Sequence, residues 1–108
     1  MLFHLCAMNL LSMAARARCI LSGAFVVEEA LKRKQGTYFL LAVDASEETK
    51  AKFSRMAAQM NVPSAELLTM QQLGHCLGKE YRAVAVLIDR GFADRLSAYL
   101  QDIPTGVD

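Results

Sequence analysis

Tyr38-Phe39-Leu40-Leu41-Ala42-Val43 and Ala83-Val84-Ala85-Val86-Leu87-Ile88 are the two stretches on which the fold turns. Each is an unbroken apolar run of strand length. Neither alternates apolar with polar, as a strand with one wet face does, so both predict strands covered on both sides. Such strands need helices above and below their sheet. Between the two runs, Asp44-Ala45-Ser46 opens a helix, with Glu47 and Glu48 favourably placed at its positive end. Thr49, Phe53, Met56 and Met60 recur at i, i+4, i+7 and i+11 as its inner face, which leaves Lys50, Lys52 and Arg55 to solvent. Asn61-Val62-Pro63 ends that helix, and Ala65 to Leu68 predicts a short strand near an edge.

Further outward, Thr69-Met70-Gln71-Gln72 fits a capping box for a short helix that ends at Gly78. Before the first long strand, a helix of about 24–35 carries Val27, Ala30 and Leu31 inward, with Gly36 as its stop. Ser22-Gly23 turns into it from a short apolar run, Cys19-Ile20-Leu21, and a first helix ends near Arg18. The last helix sets Phe92, Leu96, Tyr99 and Leu100 on one face. The order α-β-α-β-α-β-α-β-α predicts an α/β protein, a three-layer α/β/α sandwich with a four-stranded central sheet. Periodicity does not give the strand order.

The 108 residues make one domain, 1–108, too short for two independent cores. With 54% hydrophobic and 21% charged residues, the composition excludes a disordered chain. The net charge of +1 excludes a strong overall basic field. The charge is nevertheless uneven. Residues 1–43 carry five basic and two acidic side chains, and residues 44–108 carry seven and nine. An anionic partner is therefore expected at the N-terminal half. The opening MLFHLCAMNLLSMAA lacks a basic start and is interrupted by Asn9, Ser12 and Arg16, so it predicts a packed amphipathic helix, not a signal or membrane span. Met8 opens a natural start, MNLLSMAARAR, which leaves residues 1–7 as a candidate N-terminal extension. Cys6, Cys19 and Cys76 are odd in number and widely spaced, which excludes a zinc ribbon or a fully paired disulfide framework. Reduced, buried thiols in a cytoplasmic protein are the expectation.

Catalytic candidates are few. Asp44 and Asp89 each follow a covered strand, where a carboxylate pair can hold magnesium. No third acid or Gly-rich phosphate loop joins them, and capping of the helix that follows each is the favoured reading. His75 and Cys76 are adjacent on a helix and point about 100° apart, so they do not form a thiol–imidazole pair. The expectation is no enzyme, no metal and no cofactor. Binding candidates are richer. Lys32-Arg33-Lys34 closes the second helix, either as macrodipole compensation or as phosphate contacts. Gly23 opens the same helix and leaves backbone N–H groups open beside Ala24 and Phe25. The loop Gly78-Lys79-Glu80-Tyr81-Arg82 adds two cations and a ring able to stack on an extruded base.

NLLSMAARAR, LSGAFVVEEALK, FLLAVDASEETKAKF, NVP, QQLGHCLGKEYRAVAVLID and GFADRL together resemble, in order, the ribosomal protein L7Ae/L30e superfamily, in particular its small bacterial YlxQ-type branch. The resemblance spans roughly Met8 to Leu100. It implies an α/β/α sandwich that binds kink-turn RNA through the start of the second helix and the loop before the last strand. The family pattern at that helix start is Gly-Ala-Asn-Glu with a Lys three residues on. Gly23 and Ala24 match, whereas Phe25, Val26 and Glu29 stand at the Asn, Glu and Lys positions. Phe25 and Val26 either face solvent, to meet a base or another protein, or turn into the core.

The resemblance and the residues together predict a cytoplasmic RNA-binding protein, ribosome-associated or bound to structured, kink-turn-like RNA. Its RNA-binding set is Gly23, Ala24, Phe25, Lys32, Arg33, Lys34, Lys79, Tyr81 and Arg82. Its partners are ribosomal or other structured RNA and translation-related proteins, with no membrane. The alternative is a protein-interaction module that keeps the fold and has lost specific RNA recognition.

Overall fold

The structure is a computed structural model that describes the backbone of residues 2–101 and the side chains of residues 5–100. Its elements run α1 (Leu2–Arg16), β1 (Ile20–Ser22), α2 (Ala24–Lys32), β2 (Tyr38–Leu41), α3 (Glu47–Gln59), β3 (Ser64–Glu66), α4 (Met70–Cys76), β4 (Val84–Leu87) and α5 (Arg90–Gln101). The four strands form one sheet in the order β1-β4-β2-β3. β2 and β4 are neighbours, antiparallel, with Phe39 opposite Val86 and Leu41 opposite Val84. Every residue of both strands is buried, as their unbroken apolar runs predict. β1 pairs antiparallel with β4, and β3 closes the other edge parallel to β2.

α1 packs on α4 and α5, while α2 packs on α3, β1 and β4, which gives the two helical layers. Phe39 of β2 stacks on Phe53 of α3, ring centroids 5.9 Å apart, and ties the sheet to one of them. Leu11, Leu73 and Leu96, all fully buried, fill the other. Ala7 is also fully buried, so α1 contributes to the core from within residues 1–7.

Several details differ from the sequence-based expectations, each for a local reason. β3 pairs at Ser64–Glu66 instead of Ala65–Leu68, because Leu68 adopts φ 67° and turns the chain toward α4. Val43 is exposed, since the β2–β4 ladder ends at Leu41 and Val84. α2 stops at Lys32, before Gly36. Lys34 takes the left-handed conformation at φ 59°, and Gln35 N–H bonds the Ala30 carbonyl at 3.0 Å, the closure usually given to glycine. Gly36 serves a different purpose, because a Cβ there would lie 2.8 Å from Val86 Cγ2. α1 ends the same way as α2, with Arg18 at φ 59° and Cys19 N–H on the Ala14 carbonyl at 2.8 Å. Of the three thiols only Cys76 is buried. Cys6 is exposed, on the flank of α1 outside the stripe of its buried Ala7, Leu10 and Leu11, and Cys19 is half-buried just before the edge strand β1.

Candidate nucleic-acid interface

The chain direction sorts the loops to two ends of the sheet. The exits of β1, β2 and β3 and the entry of β4 share one end, which holds Gly23, Asp44, Thr69 and Arg82. Gly23 sits at φ 98° as the N-cap of α2, with nothing within 4 Å of where a Cβ would be. Glycine is needed there for its backbone conformation and not for space. Its N–H bonds the Val84 carbonyl at 3.2 Å, and its carbonyl accepts from Val27 at 2.9 Å. No side chain caps α2, so its first-turn N–H groups are open beside exposed Ala24, Phe25 and Val26. Phe25 is 76% exposed, which settles its two sequence readings in favour of solvent. Val26, at 43%, faces out as well.

Arg82 joins this helix start to the loop before β4. Its Nε donates to Ser22 Oγ at 2.9 Å and one terminal nitrogen donates to the Tyr81 carbonyl at 2.9 Å. Its own N–H bonds the Met70 carbonyl at 3.1 Å, so α4 is held to the same point. Tyr81 projects beside it, 60% exposed. Lys79, Glu80 and Tyr81 form with Gln71 and His75 of α4 an open cleft of about 330 Å³. The loop can lie this close to α4 only because residue 74 is glycine. A Cβ at Gly74 would stand 2.7 Å from the Glu80 carbonyl oxygen.

Lys32, Arg33 and Lys34 stand apart from Gly23 and the Arg82 loop, although Arg33 shares a groove with Phe25 and Val26. They close α2, nine residues or about 13 Å of helix away from its start. Lys32 lies 3.2 Å from Glu28, which also takes Lys52 at 3.2 Å, and Arg33 lies 4.0 Å from Glu29. Hydrogen bonds from the two lysines hold the Glu28 carboxyl below its ordinary range. Between the two ends of α2, Phe25, Val26, Glu29 and Arg33 line a shallow groove of about 240 Å³ with Leu21.

The acidic candidates act on backbone. Asp89 Oδ2 accepts the Phe92 N–H at 3.0 Å and caps α5. Asp44 does not cap α3, the helix after it; Ser46 does, accepting from Thr49 at 3.1 Å. Asp44 Oδ1 instead accepts the Met70 N–H of α4 at 2.8 Å, a partner 26 residues on. The Thr69 capping box of α4 is present as expected. His75 is exposed, lining the cleft, while Cys76 is buried. Burial pushes the Cys76 thiol above its ordinary range, partly offset by a hydrogen bond with Ser12. Among the described residues no cluster of three His, Cys, Asp or Glu side chains could hold a metal ion. No helix among them is long and apolar enough to cross a membrane.

Residues 7–96 match the model of the ribosomal protein L7Ae/L30e/S12e/Gadd45 family. The chain belongs to that family. It is 34% identical over 91 residues to the RNA-binding protein YlxQ of Bacillus subtilis, covering 84% of this chain and 91% of the relative. It is 30% identical over 95 residues to the RNA-binding protein YlxQ of Enterococcus faecium, covering 88% and 91%. A solved structure of a protein of unknown function from Bacillus halodurans superposes with a TM-score of 0.83 at 34% identity, covering 88% of this chain and 96% of that one. The Giardia lamblia 15.5kD RNA binding protein superposes with a TM-score of 0.76 at 18% identity, covering 92% and 91%, and shares the fold. Ser22 was not legible as a site residue, since nothing in the sequence links it to an arginine 60 positions away.

Proposed function

We propose that this family member is an RNA-binding protein of the bacterial cytoplasm that works with ribosomal or other structured RNA and performs no catalysis. The observation that carries the reading is the Arg82–Ser22 hydrogen bond. It ties the open start of α2, beside which Phe25 is exposed, to the loop that carries Lys79 and the exposed ring of Tyr81. Such a surface can hold phosphate with N–H groups and lysine while unpaired bases stack on the rings. The YlxQ relatives, named as RNA-binding proteins, support the same reading. Phe25, Val26 and Glu29 replace the polar Asn, Glu and Lys of the family pattern. The contact is therefore dominated by phosphate and stacking, with weak kink-turn specificity. Titration with a kink-turn RNA and a straight duplex at two salt concentrations tests this. Steep salt dependence with a modest preference between the two is expected, and no binding to either defeats it.

A specific observation supports a second reading. Phe25 and Val26 are neighbouring apolar side chains, 76% and 43% exposed, on a helix start where one protein could dock on another. Under that reading Phe25→Asp abolishes capture of a translation-related protein and leaves RNA affinity untouched.

A further inference from the structure

The end of the sheet that carries Gly23 and Arg82 also carries Asp44, Glu47, Glu48 and Glu80. The other end carries a different balance. There the Cys19 carbonyl accepts from Ile88 N–H at 2.9 Å, which brings Arg18 beside the exit of β4. On the other flank Thr37 N–H bonds the Leu87 carbonyl at 2.7 Å and the Thr37 hydroxyl donates toward the Asp89 carbonyl at 3.1 Å. That brings in the turn that starts at Lys34. Arg90 follows Asp89 directly. The strand order β1-β4-β2 thus sets Arg18, Arg90 and Lys34 in a row of neighbouring strand ends at this end of the sheet, with Arg18 at the end of α1 on one face and Lys34 at the end of α2 on the other. All three are exposed, and none makes an ion pair among the described residues. The nearby Asp89 carboxylate is engaged by the Phe92 N–H.

Each of the three also sits where local energetics favour another residue type. Arg18 and Lys34 hold φ 59°, a conformation that glycine or asparagine adopts with less strain. Arg90 is the first residue of α5, at the positive end of the helix, where an acidic side chain is favoured. Macrodipole compensation accounts for cations at the ends of α1 and α2, but Arg16 and Lys32 already supply it. It does not account for Arg90. Among the described residues, the exposed large apolar side chains Phe25, Val26, Val43 and Tyr81 belong to the opposite end of the sheet, and Met13, one turn before Ala17, is the single one near Arg18, so no cluster of apolar anchors joins the row. A protein partner would need such anchors, whereas phosphates need only spaced charge.

We propose that Arg18, Lys34 and Arg90 form a second RNA contact, for the phosphodiester backbone, at the opposite end of the sheet from the Gly23–Arg82 surface. One molecule then holds two segments of the same RNA. This rests on the RNA-binding reading above. The test compares a bulged stem extended on both sides with one truncated close to the bulge, using the wild type and a variant carrying Arg18→Gly, Lys34→Gly and Arg90→Gln. The wild type binds the extended RNA at least about tenfold more tightly, and the variant loses that advantage while its log–log salt slope falls by about two to three. Its melting temperature does not fall, because both glycines relieve left-handed strain, and Lys34→Gly alone serves as a check on folding. A variant that binds the extended RNA as the wild type does, with the same slope, overturns the proposal and leaves the first surface standing. A wild type that binds neither RNA defeats both readings. Unchanged RNA binding with lost retention on anionic lipid vesicles assigns the row to headgroups and also overturns it.

Discussion

Arg82 and Ser22 are separated by 60 residues in sequence and by 2.9 Å in space, Nε to Oγ. The bond spans the two segments that the proposed surface needs together, and Arg82 uses a second nitrogen to hold the Tyr81 carbonyl. A lysine has no fork to serve both. Arg82→Lys is therefore expected to lower RNA affinity about tenfold while costing only about 1 kcal/mol of stability, the scale of a lost hydrogen bond. Ser22→Ala should do the same more weakly. Titration alongside thermal melting checks this. Equal affinity for wild type and Arg82→Lys would remove the bond from the RNA-binding account.

The two covered strands were legible because a run such as Tyr38–Leu41 has no polar position to place in water. The Thr69 capping box was legible because it is local. What escaped the sequence was long-range or conformational. The bond from Met70 to Asp44 crosses 26 residues, so proximity to Ser46 made Asp44 read as a cap for the wrong helix. Lys34 in the left-handed conformation has no signature, since lysine is not selected for it, and the glycine two positions on took the credit for stopping α2. For the site, Gly23, Tyr81 and Arg82 could be picked out as residues but not as neighbours. The basic run Lys32-Arg33-Lys34 read as one patch with them, although a nine-residue helix separates it from Gly23.

Asp44→Ala tests the long-range cap directly. The Met70 N–H loses its acceptor and the exit of β2 loses its hold on α4. The cost is expected at about 1 kcal/mol, within the range for lost helix caps. For a chain of 108 residues that lowers the melting temperature by roughly 4–8 °C. Asp44→Asn, which keeps an acceptor oxygen, should recover most of it. A melting temperature unchanged in the alanine variant would show the bond to be inconsequential.

Gly74→Ala should damage the fold and the proposed surface together. Its Cβ would meet the Glu80 carbonyl oxygen at 2.7 Å and the Tyr81 nitrogen at 2.8 Å, both backbone atoms that cannot rotate away. Either α4 or the loop must move, at a cost of about 1–3 kcal/mol typical of overpacking. Moving the loop shifts Tyr81 and strains the Arg82–Ser22 bond. RNA affinity measured well below the melting temperature should therefore fall as well. Full affinity in a folded Gly74→Ala protein would mean that the loop takes no part in binding.

Glu29→Lys should raise RNA affinity several-fold and steepen its salt dependence. Glu29 lines the groove beside Phe25 and pairs only loosely with Arg33, at 4.0 Å. That exposed pair is worth no more than about 0.5 kcal/mol, so stability should hardly change. Replacing the carboxylate removes repulsion of phosphate and adds one counterion-releasing contact, a slope change of about one. Calorimetric or anisotropy titrations across a salt series decide it. No change in either affinity or slope would place α2 away from the RNA.

Phe25 separates stacking from simple apolar contact. Its ring is 76% exposed, so substitutions there report on partners and leave the core alone. Phe25→Tyr keeps a π face, whereas Phe25→Leu keeps apolar area without one. If a base stacks on the ring, the tyrosine variant should bind RNA like the wild type and the leucine variant should lose about 1–3 kcal/mol, roughly five- to 150-fold in affinity. If the ring is a protein contact, leucine should be tolerated, RNA affinity should be equal in all three, and only Phe25→Asp should break capture of the partner. Melting temperatures should agree throughout, because the site lies outside the packed interior. A leucine variant that binds RNA as tightly as the wild type therefore assigns Phe25 to a protein partner and leaves Tyr81 as the stacking ring.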